Sequence, residues 1–281
     1  MEWRKIEETI AKTFMILATT LVISSFFLII GAIALKGIPS LSWNMVSKIP
    51  SGGFYIGKQG GILNSIIGSL YIAGGASICS LIISIPIVAY LNIYLKNDSW
   101  FSNIARFASD VLFGIPSIVY GTFGFTLMVF LGLKTSLLAG IITVSLLIMP
   151  IMIRAIDELA SVVPGELLEA TLALGATRLE ACWILIKQIA PGLLTAILLA
   201  FGRAIGDAAS VLFTTGFSDN IPSSLDQPSA TLPLAIFFQL SSPIQEVQNR
   251  AYAAALILTI IVLIISVSCR IISQKYMKNI F

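Results

Sequence analysis

The sequence predicts an all-α integral membrane protein with six transmembrane helices, and three observations predict it. Of 281 residues, 57% are hydrophobic and 11% are charged, with a mean hydropathy of +0.96. An ordinary soluble domain carries about 25% charged residues, and a soluble chain of this size could not bury so much apolar surface. The charges that remain are spaced so that they leave six long apolar windows. Lys and Arg are also distributed unequally between the two sets of loops those windows define.

The windows are read between charges. Lys12 to Lys36 encloses 23 uncharged residues, Lys58 to Lys96 encloses 37, Asp110 to Lys134 encloses 23, and Lys134 to Arg154 encloses 19. Lys187 to Asp219 encloses 31 residues charged only at Arg203 and Asp207, and Arg250 to Arg270 encloses 19. A spanning helix needs about 20 apolar residues. The expected spans are 14–35, 63–95, 107–130, 137–155, 192–217 and 251–272. The second window has no polar turn in its middle and reads as one long helix. Pro86, Pro116 and Pro150 fall inside spans two, three and four, where each removes a backbone hydrogen bond and favours a kink. The first apolar run, at 22 residues, exceeds the roughly 7–15 of a signal-peptide core, so the first span is expected to be retained.

With the N-terminus inside, the inner segments carry eleven cations: Arg4, Lys5, Lys12, Lys96, Arg106, Arg154, Arg178, Lys187, Arg270, Lys275 and Lys278. The outer segments carry five: Lys36, Lys48, Lys58, Lys134 and Arg250. The positive-inside rule then places both termini in the cytoplasm. The long outer segments 36–62 and 218–250 read as ordered caps or loops. Asp110, at the inner start of span three, reads as a helix-start charge.

The composition also excludes chemistries. There is no histidine, which removes Ser-His-Asp and Cys-His nucleophiles, His-ligated metals and haem. Cys79, Cys182 and Cys269 lie too far apart for a zinc or CxxC spacing and read as buried or inert. A net charge of +3 gives no reason to expect nucleic acid as a partner.

The longest inner loop, 156–190, is polar yet helical in pattern. Pro164 suits a first helical turn, and Glu166 and Glu169 follow near the positive helix start. Gly175 can end that helix in the left-handed conformation, and Thr177-Arg178-Leu179-Glu180 is a capping box that starts another. Helix, glycine turn, helix at the membrane surface is in itself an amphipathic hairpin. Glu169-Ala170-Thr171, Gly175 six residues after the Glu, then Ile184, Ile186 and Pro191-Gly192 resemble the EAA loop of ABC importer permeases. Thr171 stands for the second Ala of that pattern and Lys187 for its first Pro. The resemblance implies the type I importer permease (MetI-like) fold. It also implies that Glu169, Ala170, Gly175 and Thr177 shape a short helix that docks on an ATP-binding subunit.

Arg203 and Asp207 lie within the fifth window, four residues apart and so expected on one helix face. A charge at bilayer depth costs about 2.5–3.5 kcal/mol on insertion scales, so it faces protein or a water-filled path. Two readings follow: an anion site, for which a guanidinium fork is well shaped, or a structural bridge that pins the helix or joins a partner chain. Gly202 and Gly206 leave room for a ligand or for close helix approach. Gly202-Arg203-Ala204-Ile205-Gly206-Asp207-Ala208-Ala209 resembles the G-R-A-I-G-E-T-A segment of phosphate importer permeases. The resemblance extends from about Gly60 to the C-terminus and implies that Arg203 and Asp207 take part in moving phosphate. The acid is one methylene shorter than the family's Glu.

The implied protein is one permease subunit of an ABC-type phosphate importer and not an enzyme. No GxxxxGK[ST] loop is present, so ATP and Mg²⁺ would be bound by a separate ATP-binding subunit dimer, with no cofactor in this chain. The other implied partners are a second, related permease chain, an extracytoplasmic phosphate-binding protein, and membrane lipid. The organisation expected is a first helix with its outer loop over 1–60 and a five-helix core over 61–281 containing the coupling loop. Sulfate, molybdate or tungstate would suit an Arg fork equally well. A secondary anion transporter, or an assembly protein with a structural Arg–Asp pair, would place no ATPase on the loop.

Overall fold

A computed structural model describes residues 2–51, 60–95 and 99–277. Lys58, Lys96 and Lys278 of the charge count lie outside the described residues. The chain runs α1 (Glu2–Gly37), a 3₁₀ turn (Ile38–Ser40), α2 (Trp43–Ser47), α3 (Leu63–Ala89), a π turn (Tyr90–Tyr94), α4 (Trp100–Phe113), α5 (Ser117–Phe130), α6 (Leu137–Ser161), α7 (Gly165–Ala173), α8 (Arg178–Ile205), α9 (Leu232–Leu240) and α10 (Gln245–Met277). Among the described residues there is no strand, only an isolated bridge between Pro50 and Gly60.

Among the described residues five helices are long and apolar enough to cross a membrane, and α4 with α5 is a bent pair that makes a sixth candidate if the two count as one span. The expected all-α fold therefore stands, with five to six candidate spans and three corrections. The third span is two helices at 99° to one another. Ile115 precedes Pro116, whose ring disfavours helical geometry in the residue before it, and Pro116 itself is extended with ψ 138. The Tyr120 hydroxyl takes up the Leu112 carbonyl at 2.8 Å across the bend. At 14 residues α5 is only about 21 Å long, short of the roughly 30 Å hydrocarbon core. The second correction is that the fifth span and the second arm of the hairpin are one helix, α8, which carries Pro191 inside it. The third is that this helix stops at Ile205, twelve residues before the expected 217.

The centre of the bundle is α3, α6 and α8 packed on one another. Lipid tails are as apolar as leucine, so helix association here depends on close packing, which small residues allow. Ala73 and Ala76 of α3 and Ala196, Ala200 and Ala204 of α8 line this seam with Ile148 and Met152 of α6. Around it, α10 packs on α8 and α9, and α1 packs on α10 alone among the long helices. Nearly the whole length of α1 is exposed. Cys79, expected to be buried or inert, is exposed on α3, whereas Cys182 is buried and Cys269 intermediate; all three are free thiols.

The described residues around α2 and the start of α3 pack against α9 and α10. Met45, Ile62, Leu232, Ala253, Ala254 and Ile257 form a second apolar cluster there. The stretch after α8 re-enters the bundle as tight turns. Ser210, Thr214, Thr215, Ser229 and Ala230 have no exposed surface. Its backbone is satisfied by other segments: Ser136 donates to the Thr214 carbonyl at 3.0 Å, and Ser229 donates to the Thr215 carbonyl at 3.0 Å. Gly121 of α5 lets the re-entrant turn approach, since a Cβ there would lie 2.6 Å from the Ala209 carbonyl oxygen.

Candidate functional site

Arg203 stands in the last turn of α8 with its side chain exposed. Among the described residues it has no ion-pair or hydrogen-bond partner. Leu199, one turn earlier, is also exposed. A Cβ at Gly202 would meet nothing within 4 Å, and one at Gly206 only the Gly202 carbonyl at 3.7 Å. The glycines therefore do not serve close approach within this chain. They leave an open face around the guanidinium.

Asp207 is placed differently from the sequence expectation. It is 8% exposed and lies beyond the helix end, with Gly206 as the C-cap. Its Oδ2 accepts the Ser210 backbone N–H at 2.8 Å. The two residues are close in sequence but form no salt bridge. The cause is local: a short carboxylate caps nearby backbone N–H groups readily, which a longer Glu does less well. Of the four pathway candidates, the structure thus groups Gly202, Arg203 and Gly206 on one open face and turns Asp207 inward.

The hairpin after α6 follows the sequence closely. Pro164 is the N-cap of α7 rather than its first residue, with Glu166 in the first turn. Gly175 has φ +87, and a Cβ there would meet nothing, so glycine is required by conformation and not by space. Thr177 and Glu180 form the capping box, with the Thr177 N–H donating to Glu180 Oε2 at 2.7 Å. Glu169, Ala170, Gly175 and Thr177 are all exposed. Leu167, Leu172 and Leu174 are exposed beside them, Leu174 at 89%. Together with Glu169 these leucines form an exposed apolar and acidic ridge on the hairpin.

A model of the binding-protein-dependent transport system inner membrane component family matches residues 82–278. The phosphate transport system permease protein PstA of Haemophilus influenzae is 33% identical over 240 residues, covering 85% of this chain and 84% of that protein. The PstA of Yersinia pestis is 33% identical over 279 residues, 97% of this chain and 92% of its own length. The PstA 1 protein of Mycobacterium tuberculosis strain H37Rv is 34% identical over 216 residues, covering 76% and 70%. The chain belongs to the binding-protein-dependent transport permease family, in its PstA group.

As a permease of this family it is an inner-membrane component of a transport system. The matched region begins inside α3 and includes the elbow, α6, the α7 hairpin, α8 and α10, so the open Arg203 face and the leucine ridge both belong to the family core.

The permease also contains a charged cluster that the sequence reading missed. Asp157 of α6, little exposed, accepts Arg106 of α4 at 2.8 Å and Asn92 of the π turn at 2.7 Å. Arg154 of α6 pairs with Asp110 of α4. Asp110 is therefore not a free charge at a helix start. It lies near the end of α4, in an ion pair. The only trace in sequence is the spacing: Arg then Asp four apart in α4, and Arg then Asp three apart in α6, which match when the helices run antiparallel.

Proposed function

We propose that this permease forms half of the membrane pathway of an ABC-type importer of inorganic phosphate. The observation that carries the reading is Arg203, held by α8 on an open face with no partner among the described residues. A charged fork at membrane depth needs either water or another chain beside it. A second permease chain packed across this face would enclose a path with Arg203 on its wall. The PstA names of the relatives supply the anion. A planar guanidinium suits two oxygens of a tetrahedral oxyanion, and a transit site must release as well as bind.

The α7 face is assigned to the cytoplasm, with both termini on that side and the first helix retained. The ridge of Leu167, Leu172, Leu174 and Glu169 then presents the hairpin to an ATP-binding subunit dimer, which holds ATP and Mg²⁺. Gly175 sets the angle between α7 and α8, and Ala170 and Thr177 keep the first helix slim and the second one capped. The opposite face, where residues 38–51 and 218–250 form an ordered cap, receives an extracytoplasmic phosphate-binding protein. Residues 1–60 are an appended helix and cap segment, and 61–281 the core. Asp207 contributes by holding the re-entrant turn beside Arg203.

The test is reconstitution of the complex in vesicles with radiolabelled phosphate and ATP. Wild type should take up phosphate. Arg203→Gln should assemble in equal amount and lose uptake, and Arg203→Lys should be poor because a point charge lacks the fork. Uptake at the wild-type rate by Arg203→Gln would remove Arg203 from the path. Uptake that follows an ion gradient and ignores ATP would replace the importer reading by a secondary transporter.

A further inference from the structure

We propose that Asp157 is the hub of a polar link carrying motion from the α7 hairpin to the α4–α5 elbow, with Asn92, Arg106, Asp110 and Arg154 as positioning residues for transport. This rests on the permease reading above.

The link is continuous. Arg178, the first residue of α8, donates to the Tyr94 carbonyl at 3.1 Å and lies over the Tyr94 ring at 5.7 Å. Tyr94 ends the π turn whose Asn92 donates to Asp157 Oδ1 at 2.7 Å. Arg106 Nε donates to Asp157 Oδ2 at 2.8 Å and its Nη2 to Oδ1 at 3.3 Å, so the guanidinium grips both oxygens. Arg154 and Asp110 repeat the α4–α6 bond one turn away, with the charges exchanged. The α7 hairpin is thus tied at both ends: α6 leads into α7 within three residues, and α8 leads out of it.

The elbow has few other supports. Both α4 and α5 pack principally on α6. The α5 arm also touches the re-entrant turn that holds Asp207, through Gly121 against Ala209 and Phe125 against Phe213 at 6.3 Å. One arm of the elbow is therefore bonded to the anchor of the hairpin, and the other rests against the turn next to Arg203. The Pro116 bend lets the arms move as a lever. A crevice of about 390 Å³ lined by Arg106, Ser109, Asp110, Arg154, Asp157 and Glu158 gives these side chains room to exchange partners.

The two ion pairs are unequal. Asp157 is 11% exposed, so removing its partner leaves a nearly buried charge. Arg154 and Asp110 are at least half exposed, and a pair in water contributes little. Asp157 should dominate.

The experiment uses the whole complex in vesicles, measuring ATP hydrolysed and labelled phosphate imported in the same sample. In Asp157→Asn the complex should assemble and hydrolyse ATP, while the ATP-to-phosphate ratio rises roughly two- to thirtyfold. Should Asp157→Asn fail to assemble, Arg106→Lys, which keeps the charge and loses the fork, carries the same expectation. Asp110→Arg or Arg154→Asp alone, by setting like charges side by side, should raise the ratio less than Asp157→Asn does, and the two together should restore it. A wild-type ratio in both Asp157→Asn and Arg106→Lys overturns the link. So does a loss of hydrolysis and uptake in equal proportion. Failure of the wild-type complex to import phosphate with ATP overturns the permease reading instead.

Discussion

The Asp207 carboxylate accepts the Ser210 backbone N–H at 2.8 Å, immediately past the end of α8, and forms no salt bridge with the exposed Arg203. The acid of the Gly-Arg-Ala-Ile-Gly-Asp segment is a cap for a buried turn. Its role and that of Arg203 therefore separate, and different variants should expose them.

Asp207→Ala deletes the acceptor and strands a buried N–H. The expected cost is about 1–2 kcal/mol, seen as a lower unfolding temperature of the purified chain in detergent. Asp207→Asn keeps an acceptor oxygen in the same place and should lie close to wild type. An unfolding temperature for Asp207→Ala equal to wild type would mean the cap contributes nothing.

Arg203 should behave in the opposite way. With no partner for Arg203 among the described residues, Arg203→Gln should change the stability of the isolated chain by no more than about 0.5 kcal/mol while removing phosphate uptake by the complex. A clear drop in the isolated chain's unfolding temperature would reveal a structural contact for Arg203.

Gly175 distinguishes conformation from space. Gly175→Val should strain the left-handed turn by about 1–2 kcal/mol, misdirect α7 and reduce co-purification of the ATP-binding subunit. Gly175→Asn, which tolerates positive φ, should be milder even though it is larger than alanine. Equal effects of Val and Asn would show that bulk, not backbone angle, matters at this site.

The leucine ridge offers a test that leaves the fold untouched. Leu174→Asp changes an 89% exposed residue, so insertion and unfolding temperature should hold, whereas capture of the ATP-binding subunit should fall. Retained capture at wild-type affinity would move the docking surface away from α7.

Orientation is checked by labelling single cysteines placed at Ser161 and Ser224 in a chain lacking Cys79, Cys182 and Cys269. Both positions are exposed. An impermeant thiol reagent added outside should modify Ser224→Cys and not Ser161→Cys. The reverse pattern would invert the membrane topology.

The apolar windows, the helical class and the α7 hairpin are legible in the sequence. Each depends on near neighbours. A helix satisfies its own backbone hydrogen bonds, which is what lipid demands of any apolar window about 20 residues long. Gly175 and the Thr177–Glu180 box act over three residues and need no other part of the chain. Where α8 ends, how sharply α4 and α5 bend, and which charges meet depend instead on contacts between distant segments. Residues 206–217 are apolar enough to continue a helix. Where they leave it, the backbone N–H groups of Ser136, far upstream, and Ser229, within the same re-entrant stretch, donate to the Thr214 and Thr215 carbonyls in place of a helical turn. Non-helical backbone at membrane depth is tolerated when it is enclosed by protein in this way. Asp157 likewise finds Arg106 across 51 residues and Asn92 across 65. Such bonds depend on how α3, α4 and α6 are placed side by side. The periodicity of any one helix carries no record of that placement.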